Sequence, residues 1–166
     1  MTLFADAALG SYLMKNAAAD PHDLQRFLSA QETSYSRALS EIRAGRKRSH
    51  WMWFIFPQFD GLGFSSTSRK YAINSLAEAK AYLEHPVLGV RLEEISEAVL
   101  AIEDRSAHDI FGSPDDLKLR SSATLFAEVA GEDSTFQRII TKLYDDRPCD
   151  KTLRLLQAEN DSAEEE

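Results

Sequence analysis

Residue types able to do chemistry are concentrated in two segments of this chain, residues 45–71 and residues 111–126. The first segment holds both tryptophans, a histidine and most of a strongly basic stretch. Basic and hydroxyl side chains beside aromatic rings are typical of a site that binds a small anion. The ligand-binding candidates in this segment are Lys47, Ser49, Trp51, Gln58, Ser65, Ser66, Arg69 and Tyr71.

Residues 61–71 combine a Gly-Leu-Gly turn with a run of hydroxyl side chains. Gly61 and Gly63 can adopt positive φ, because they lack a Cβ. Hydroxyl and backbone N–H groups after such a turn could cradle an anion. The alternative is that the serines only cap the start of a helix. The spacing fits neither a Walker loop nor a dinucleotide-binding fingerprint.

His50 is the candidate catalytic acid or base, because an imidazole titrates near neutral pH. The alternative is a buried histidine held by hydrogen bonds next to the apolar run of residues 51–56. Trp51 and Trp53 could stack on a ligand, although core packing is the commoner role of tryptophan. Side chains two positions apart on a helix point in different directions, so both rings cannot face one ligand squarely.

The second segment places basic and hydroxyl side chains on a helix that otherwise forms core. Lys118 and Ser121 share a face with Asp115, and Arg120 forms a neighbouring polar pair with Thr124. This mixture indicates the lining of a polar cavity, so Lys118, Arg120 and Ser121 are further ligand-binding candidates. The alternative is a solvated helix face with an Asp115–Lys118 ion pair, worth roughly a few tenths of a kcal/mol.

Several signatures of catalysis and cofactor binding are absent from the sequence. The four histidines lack metal-ligand spacing, and a single cysteine excludes an intramolecular disulfide and a cysteine-built zinc site. No Gly-x-Ser-x-Gly nucleophile motif occurs. Cys149 follows Pro148 near the end of the chain, and we do not expect it to act as a nucleophile. The sequence therefore predicts no metal and no cofactor.

The charge of the chain is unevenly distributed. Its formal net charge is −8, yet residues 157–166 alone carry five acidic and no basic residues. Residues 37–70 carry seven basic residues against two acidic ones, a local charge of +5. The acidic total disfavours a broad nucleic-acid surface, but it leaves room for a local anion site.

Targeting and membrane signals are also missing from the sequence. No apolar run approaches the ~20 residues of a membrane helix, so we expect no membrane partner. The N-terminus lacks the basic region of a secretory signal. With a lone cysteine, a cytoplasmic location is the default expectation. The sequence indicates no specific protein partner.

The spacing of apolar residues predicts an all-α fold, a single-domain array of about seven or eight short helices. A long helix is predicted over residues 22–44, opened by Asp20 and Pro21 and ended at Gly45. Residues 51–56 predict a short buried helix, with an isolated strand as the alternative.

Two start signals and three regions complete this interpretation. Ser75 and Glu78 form a predicted capping box. The run Ser113-Pro114-Asp115-Asp116 marks another helix start. Residues 20–156 are predicted to form one helical domain. Residues 1–19 are an N-terminal extension that is part helical, and residues 157–166 are an acidic disordered tail.

These motifs resemble the bacterial family called domain of unknown function 1810, some of whose members are labelled calpastatin. The resemblance covers about residues 20–156 and implies a small multihelical fold without an established activity. His22 stands where tyrosine is common in the family, so no chemistry is assigned to it. The matching motifs are Asp20-Pro-His-Asp-Leu-Gln-Arg-Phe27, Gly45-Arg-Lys-Arg-Ser-His-Trp-Met-Trp-Phe-Ile-Phe-Pro-Gln58, Gly61-Leu-Gly63, Ser68-Arg-Lys-Tyr-Ala-Ile73, His85-Pro-Val-Leu-Gly89 and Phe111-Gly-Ser-Pro-Asp-Asp-Leu-Lys-Leu-Arg-Ser-Ser122.

Three functions are compatible with these observations. The first is binding of a small anionic metabolite, phosphorylated or nucleotide-like, because buried lysine and arginine need an anionic partner. It requires Lys47 and His50 within roughly 15 Å of Lys118, the span of one small-molecule pocket. The second is a hydrolase or transferase acting on such a ligand, with His50 as acid or base and Lys118 or Arg120 stabilising negative charge. The third is a protein–protein interaction module whose basic rim docks an acidic partner.

Overall fold

The computed structural model describes residues 19–164, which form ten helices joined by short loops. Within that range no strand forms, and Phe59 and Ile73 make an isolated parallel β-bridge. The all-α class is therefore confirmed, with more helices than expected. In chain order the helices are α1 Gln25–Glu32, α2 Tyr35–Arg43, α3 Met52–Ile55, α4 Ser66–Lys70, α5 Leu76–Glu84, α6 Leu88–Leu100, α7 Ala107–Phe111, α8 Asp115–Ala130, α9 Thr135–Tyr144 and α10 Asp150–Glu164.

The long helix predicted over residues 22–44 is divided into α1 and α2. The division lies at Thr33 and Ser34, whose side chains favour caps and turns over the helix interior. The helix begins at Gln25 with Leu24 at the N-cap, later than predicted, so Pro21 lies in a turn before it. The Asp20 carboxylate nevertheless accepts hydrogen bonds from the backbone N–H groups of Leu24 and Gln25 at 2.8 and 3.0 Å. At the other end, Gly45 with a φ of +89° follows α2, as the sequence predicted.

Helix caps account for several boundaries. Ser75 accepts a hydrogen bond from the backbone N–H of Glu78 at 3.0 Å, but the Glu78 carboxylate turns away to Arg26, so only half of the predicted capping box forms. A complete capping box, which the sequence analysis missed, starts α7 between Ser106 and Asp109. This box fixes the orientation of α7 next to the loop that follows α2.

The centre of the core brings the two candidate segments together. The predicted short helix forms as α3, and Trp51 immediately before it is 1% exposed. The Trp51, Phe56 and Phe111 rings pack with centroid separations of 5.9–6.4 Å. Helix α8 packs against α5, α7, α9 and α10, and its Leu119 is fully buried. The aromatic contacts thus hold α3 beside the connection from α7 to α8.

The acidic end is more ordered than the sequence predicted. Helix α10 continues through Glu164, over residues 157–164 of the expected disordered tail. The Glu159 carboxylate accepts a hydrogen bond from the backbone N–H of Leu76 at 3.1 Å, where the N-terminus of α5 favours a negative charge. The expected N-terminal extension up to residue 18, and the last two acidic residues, lie outside the described residues.

None of the helices described in residues 19–164 has the length and apolar character that crossing a membrane requires.

Candidate functional site

The two segments singled out in the sequence meet at one carboxylate. Lys47 Nζ lies 2.8 Å from Asp115 Oδ2, and Lys118 Nζ lies 3.1 Å from Asp115 Oδ1. The same ammonium groups lie over tryptophan rings, Lys47 at 5.1 Å from the Trp51 centroid and Lys118 at 4.8 Å from that of Trp53. We call these five residues the tryptophan–lysine cluster.

Both lysines of this cluster share one carboxylate. Burial by itself would raise the pKa of Asp115, but the hydrogen bonds and charges of Lys47 and Lys118 hold the pKa of this carboxyl below its usual value. The Lys47 side chain is only 8% exposed, so its ammonium depends on this carboxylate as a counter-ion. The cluster is therefore a junction between α3 and α8, and its lysines are already paired.

Next to the junction lies an open cleft of about 640 Å³, a volume typical of small-molecule sites. Its walls are the start of the loop after α2 and the stretch from residue 104 through α7. We call it the basic cleft. The lining residues are Arg46, Lys47, Asp104, Arg105, His108, Asp109, Ile110, Phe111 and Gly112.

Two hydrogen bonds hold the walls of the basic cleft together. The backbone N–H of Lys47 donates to the carbonyl of Ile110 at 2.7 Å, and Arg105 Nη1 donates to the carbonyl of Gly45 at 3.4 Å. The left-handed φ of Gly45 turns the chain at the point where this carbonyl faces the arginine. The glycine therefore has a role in shaping the cleft as well as in ending α2.

Arg46 is the cationic side chain of the cleft with the fewest protein contacts. Lys47 is paired with Asp115, and Arg46 and Arg105 bring two positive charges against the two negative charges of Asp104 and Asp109. Asp109 is engaged in the capping box, where hydrogen bonds from Ser106 lower its carboxyl pKa. Within residues 19–164 the Arg46 guanidinium makes no hydrogen bond or ion pair. Arg46 is exposed and lines the cleft, so its five N–H groups are available to a ligand without a protein partner to displace.

His108 adds a titratable ring to the basic cleft. Its Nδ1 lies 3.6 Å from Asp116 Oδ2, and its side chain is 68% exposed. Asp116 Oδ1 accepts a hydrogen bond from the backbone N–H of Leu117 at 2.9 Å. The imidazole is therefore supplied by α7 and the carboxylate by α8, two helices that pack together.

Ser49 and Trp51 hold the loop after α2 in place through hydrogen bonds to Glu41. Glu41 of α2 accepts hydrogen bonds from the backbone N–H groups of Arg48 and Ser49 at 2.7 and 2.9 Å, from Trp51 Nε1 at 2.9 Å and from the Ser49 hydroxyl. Burial opposes the charge of Glu41, but these donors lower its carboxyl pKa to about 2. The Trp51 ring is core, as the alternative interpretation had it.

Gln58 and Tyr71 lie at a second, much smaller cavity. They line it together with Trp53 and Ser68, and its volume of about 10 Å³ has room for about one water molecule. A metabolite does not fit there. Ser65 instead caps α4, its hydroxyl accepting a hydrogen bond from the backbone N–H of Ser68 at 3.1 Å.

The remaining candidates are dispersed. Ser66 and Arg69 lie exposed on α4. Arg120 Nε donates to the carbonyl of Arg147 at 2.6 Å, and the buried Ser121 hydroxyl donates to its own helix. These two side chains thus support α8 and its contact with the loop after α9. His50 is exposed and makes no hydrogen bond or ion pair within residues 19–164.

Of the cleft's basic residues, only Lys47 was predicted from the sequence. Arg46 was detectable, since it follows the positive-φ Gly45 inside the basic stretch. Arg105 and His108 lie outside both segments, and the nearest signal is the capping box from Ser106. The sequence gives no indication that this box packs beside the loop after α2.

Comparisons with known proteins agree with this fold. Residues 21–156 match the family described as protein of unknown function (DUF1810). A crystal structure of the conserved hypothetical protein Rv1873 from Mycobacterium tuberculosis is similar, with 48% sequence identity and a TM-score of 0.80. The match covers 83% of this chain and 99% of that one. No curated protein matches the chain.

Proposed function

The chain belongs to the DUF1810 family of proteins of unknown function, and we propose that it binds a small anionic metabolite in the basic cleft. The observation that carries this proposal is the exposed guanidinium of Arg46, which has no protein partner within residues 19–164 and lines a metabolite-sized cleft together with Arg105. A planar guanidinium donates two parallel hydrogen bonds to a carboxylate or phosphate, and such charge-assisted bonds are the strong ones.

The shape of the cleft supports a ligand larger than a bare anion. Ile110 and Phe111 belong to its lining and offer apolar surface beside the cationic side chains. Small-molecule sites commonly combine an apolar wall with a few polar groups that orient the ligand. A phosphorylated or nucleotide-like metabolite has both parts, so we propose this class of ligand.

The tryptophan–lysine cluster does not offer an equally good site. Its two lysines share the carboxylate of Asp115, and an incoming anion would have to displace that group. Breaking a buried ion pair is costly, because it leaves an uncompensated charge. We therefore assign the cluster a structural role beneath the cleft.

Calorimetric titration tests the proposal. We expect inorganic phosphate and adenosine 5′-monophosphate to bind the full chain at low ionic strength, and Arg46→Gln to weaken both about tenfold, the loss of one charge-assisted hydrogen bond. Arg69→Gln is the matched control, because Arg69 is exposed on α4 and is not part of the cleft. The absence of binding, or equal weakening by both variants, would refute the proposal.

We also propose that the ligand is encountered in the cytoplasm and that nucleic acid is not a partner. The single cysteine, a free thiol, supports a reducing compartment. The acids Asp104 and Asp109 at the cleft support a small ligand over a polyanion, because they would oppose a long phosphate backbone. Fractionation of cells that produce the protein tests the location, and recovery in an extracytoplasmic fraction would contradict it.

A further inference from the structure

A histidine and a carboxylate are paired at the edge of the basic cleft. His108 Nδ1 lies 3.6 Å from Asp116 Oδ2. The Asp116 side chain is 18% exposed, and its second oxygen is bound to the backbone N–H of Leu117. The carbonyl of Asp116 also accepts a hydrogen bond from the Tyr144 hydroxyl, which ties the residue to α9. One bond thus holds the carboxylate and the other holds the backbone of the same residue.

This pairing leaves Nε2 as the ring nitrogen available to a bound molecule. An imidazole whose Nδ1 faces a carboxylate is oriented to take up a proton at Nε2, the arrangement in which histidine acts as a general base. Arg46 and Arg105 line the same cleft and can stabilise negative charge on a substrate. The histidine and the two arginines thus line one cleft, and Asp116 faces the histidine from α8.

We propose that the basic cleft hydrolyses phosphate monoesters, with His108 as the general base and Asp116 as its positioning residue. This inference rests on the proposed function, because the phosphate must first be bound by the cleft arginines. In the step, His108 Nε2 accepts a proton from water as the water oxygen forms a bond to phosphorus. The bond from phosphorus to the ester oxygen breaks on the opposite side, the departing oxygen takes a proton from solvent water, and the imidazolium returns its proton to solvent. The products are an alcohol and inorganic phosphate, so no oxidant or reductant is needed.

His50, the histidine favoured by the sequence, does not fit this role. It is exposed, makes no hydrogen bond or ion pair within residues 19–164 and is not among the lining residues of the cleft. His50 is therefore the matched control for His108. Both histidines are exposed, but of the two only His108 has an orienting carboxylate.

The experiment measures phosphate release from p-nitrophenyl phosphate and from a panel of sugar phosphates and nucleoside monophosphates. We expect turnover by the full chain, a loss of at least about 100-fold in kcat for His108→Gln, and unchanged turnover for His50→Gln. Asp116→Asn should lower kcat about tenfold with KM nearly constant, and Asp116→Glu should restore part of kcat. A purely structural role for Asp116 would instead change the unfolding midpoint without this split between kcat and KM.

The possible results separate this inference from the proposed function. Phosphate binding without release from any ester overturns the hydrolysis and leaves the binding site intact. Equal turnover by the wild-type protein and His108→Gln also overturns the assignment of the base. If the protein neither binds phosphate nor releases it, both the hydrolysis and the proposed function fail.

Discussion

Replacing Glu41 tests how the loop that carries Arg46 and Lys47 is held. The Glu41 carboxylate accepts four hydrogen bonds from residues 48–51. Glutamine at this position keeps one acceptor but turns an NH2 group toward backbone and hydroxyl donors. We therefore expect Glu41→Gln to destabilise the fold and to weaken anion binding in the adjacent basic cleft.

The magnitude of this effect follows from the carboxyl pKa of Glu41. A fall from 4.5 to about 2 on folding corresponds to about 3 kcal/mol in a fully buried site. Glu41 is only partly buried, and solvent screening reduces this to about 1–2 kcal/mol. Because the pKa is lower in the folded state, the stabilisation is complete above pH 4.5 and is lost as the pH falls toward 2.

Urea unfolding at pH 7 and pH 3 measures this difference. At pH 7 the Glu41→Gln protein should be less stable by about 1–2 kcal/mol, and at pH 3 the difference should shrink to about half or less. Glu32→Gln is the control, because Glu32 is exposed at the end of α1 and should change stability by less than about 0.5 kcal/mol. An equal difference at both pH values would refute the reasoning, as would no difference at pH 7.

Three further substitutions test the packing around the site. Arg26→Leu should lower the free energy of unfolding by about 3–5 kcal/mol in urea unfolding. The Arg26 guanidinium binds backbone carbonyls and the buried Glu78 carboxylate, and its removal leaves that carboxylate without a counter-ion. If the double variant with Glu78→Gln loses as much stability as Arg26→Leu alone, this cause is wrong. Gly89→Ala should cost more than about 2 kcal/mol, since its Cβ would lie 2.0 Å from the carbonyl of Leu83, and near-neutral stability would disprove the close approach. Glu159→Gln should lower stability by about 0.3–1 kcal/mol, because the Glu159 carboxylate interacts with the N-terminus of α5. Added salt should reduce this loss. No loss at all would show that α10 frays before this residue.

Local signals predicted the parts of the fold that local physics determines. The run of residues 51–56 contains the short helix Met52–Ile55, because an apolar run of this length ends at Pro57 and buries Met52 and Ile55, although Trp53 and Phe54 are only half-buried. Gly45 ends α2, because few other residues adopt its positive φ without strain. The apolar stripe of residues 22–44 runs on across Thr33 and Ser34, so its period could not reveal the break between α1 and α2.

Long-range contacts decided the parts that the sequence did not predict. Residues 157–164 look like a solvated acidic end, but Glu159 binds the N-terminus of α5, 83 positions away in the chain. The basic cleft likewise depends on contacts between residues 45–47 and residues 105–110, such as the bond from Lys47 to Ile110. No period or motif encodes this pairing, so Arg105 and His108 were not among the predicted site residues.

In this protein a basic residue can bind a ligand only if its charge is not already paired within the protein. The sequence drew attention to the local charge of +5 in residues 37–70 and to the basic residues of α8. The structure shows that Lys47 and Lys118 are both paired with Asp115, and that Arg120 donates to a backbone carbonyl. A paired cation gains little from a ligand, because a new anion must replace a contact that already exists. Arg46 is exposed and has no such contact within residues 19–164, so an anion in the basic cleft replaces only water there, and this is why the proposed function rests on that guanidinium.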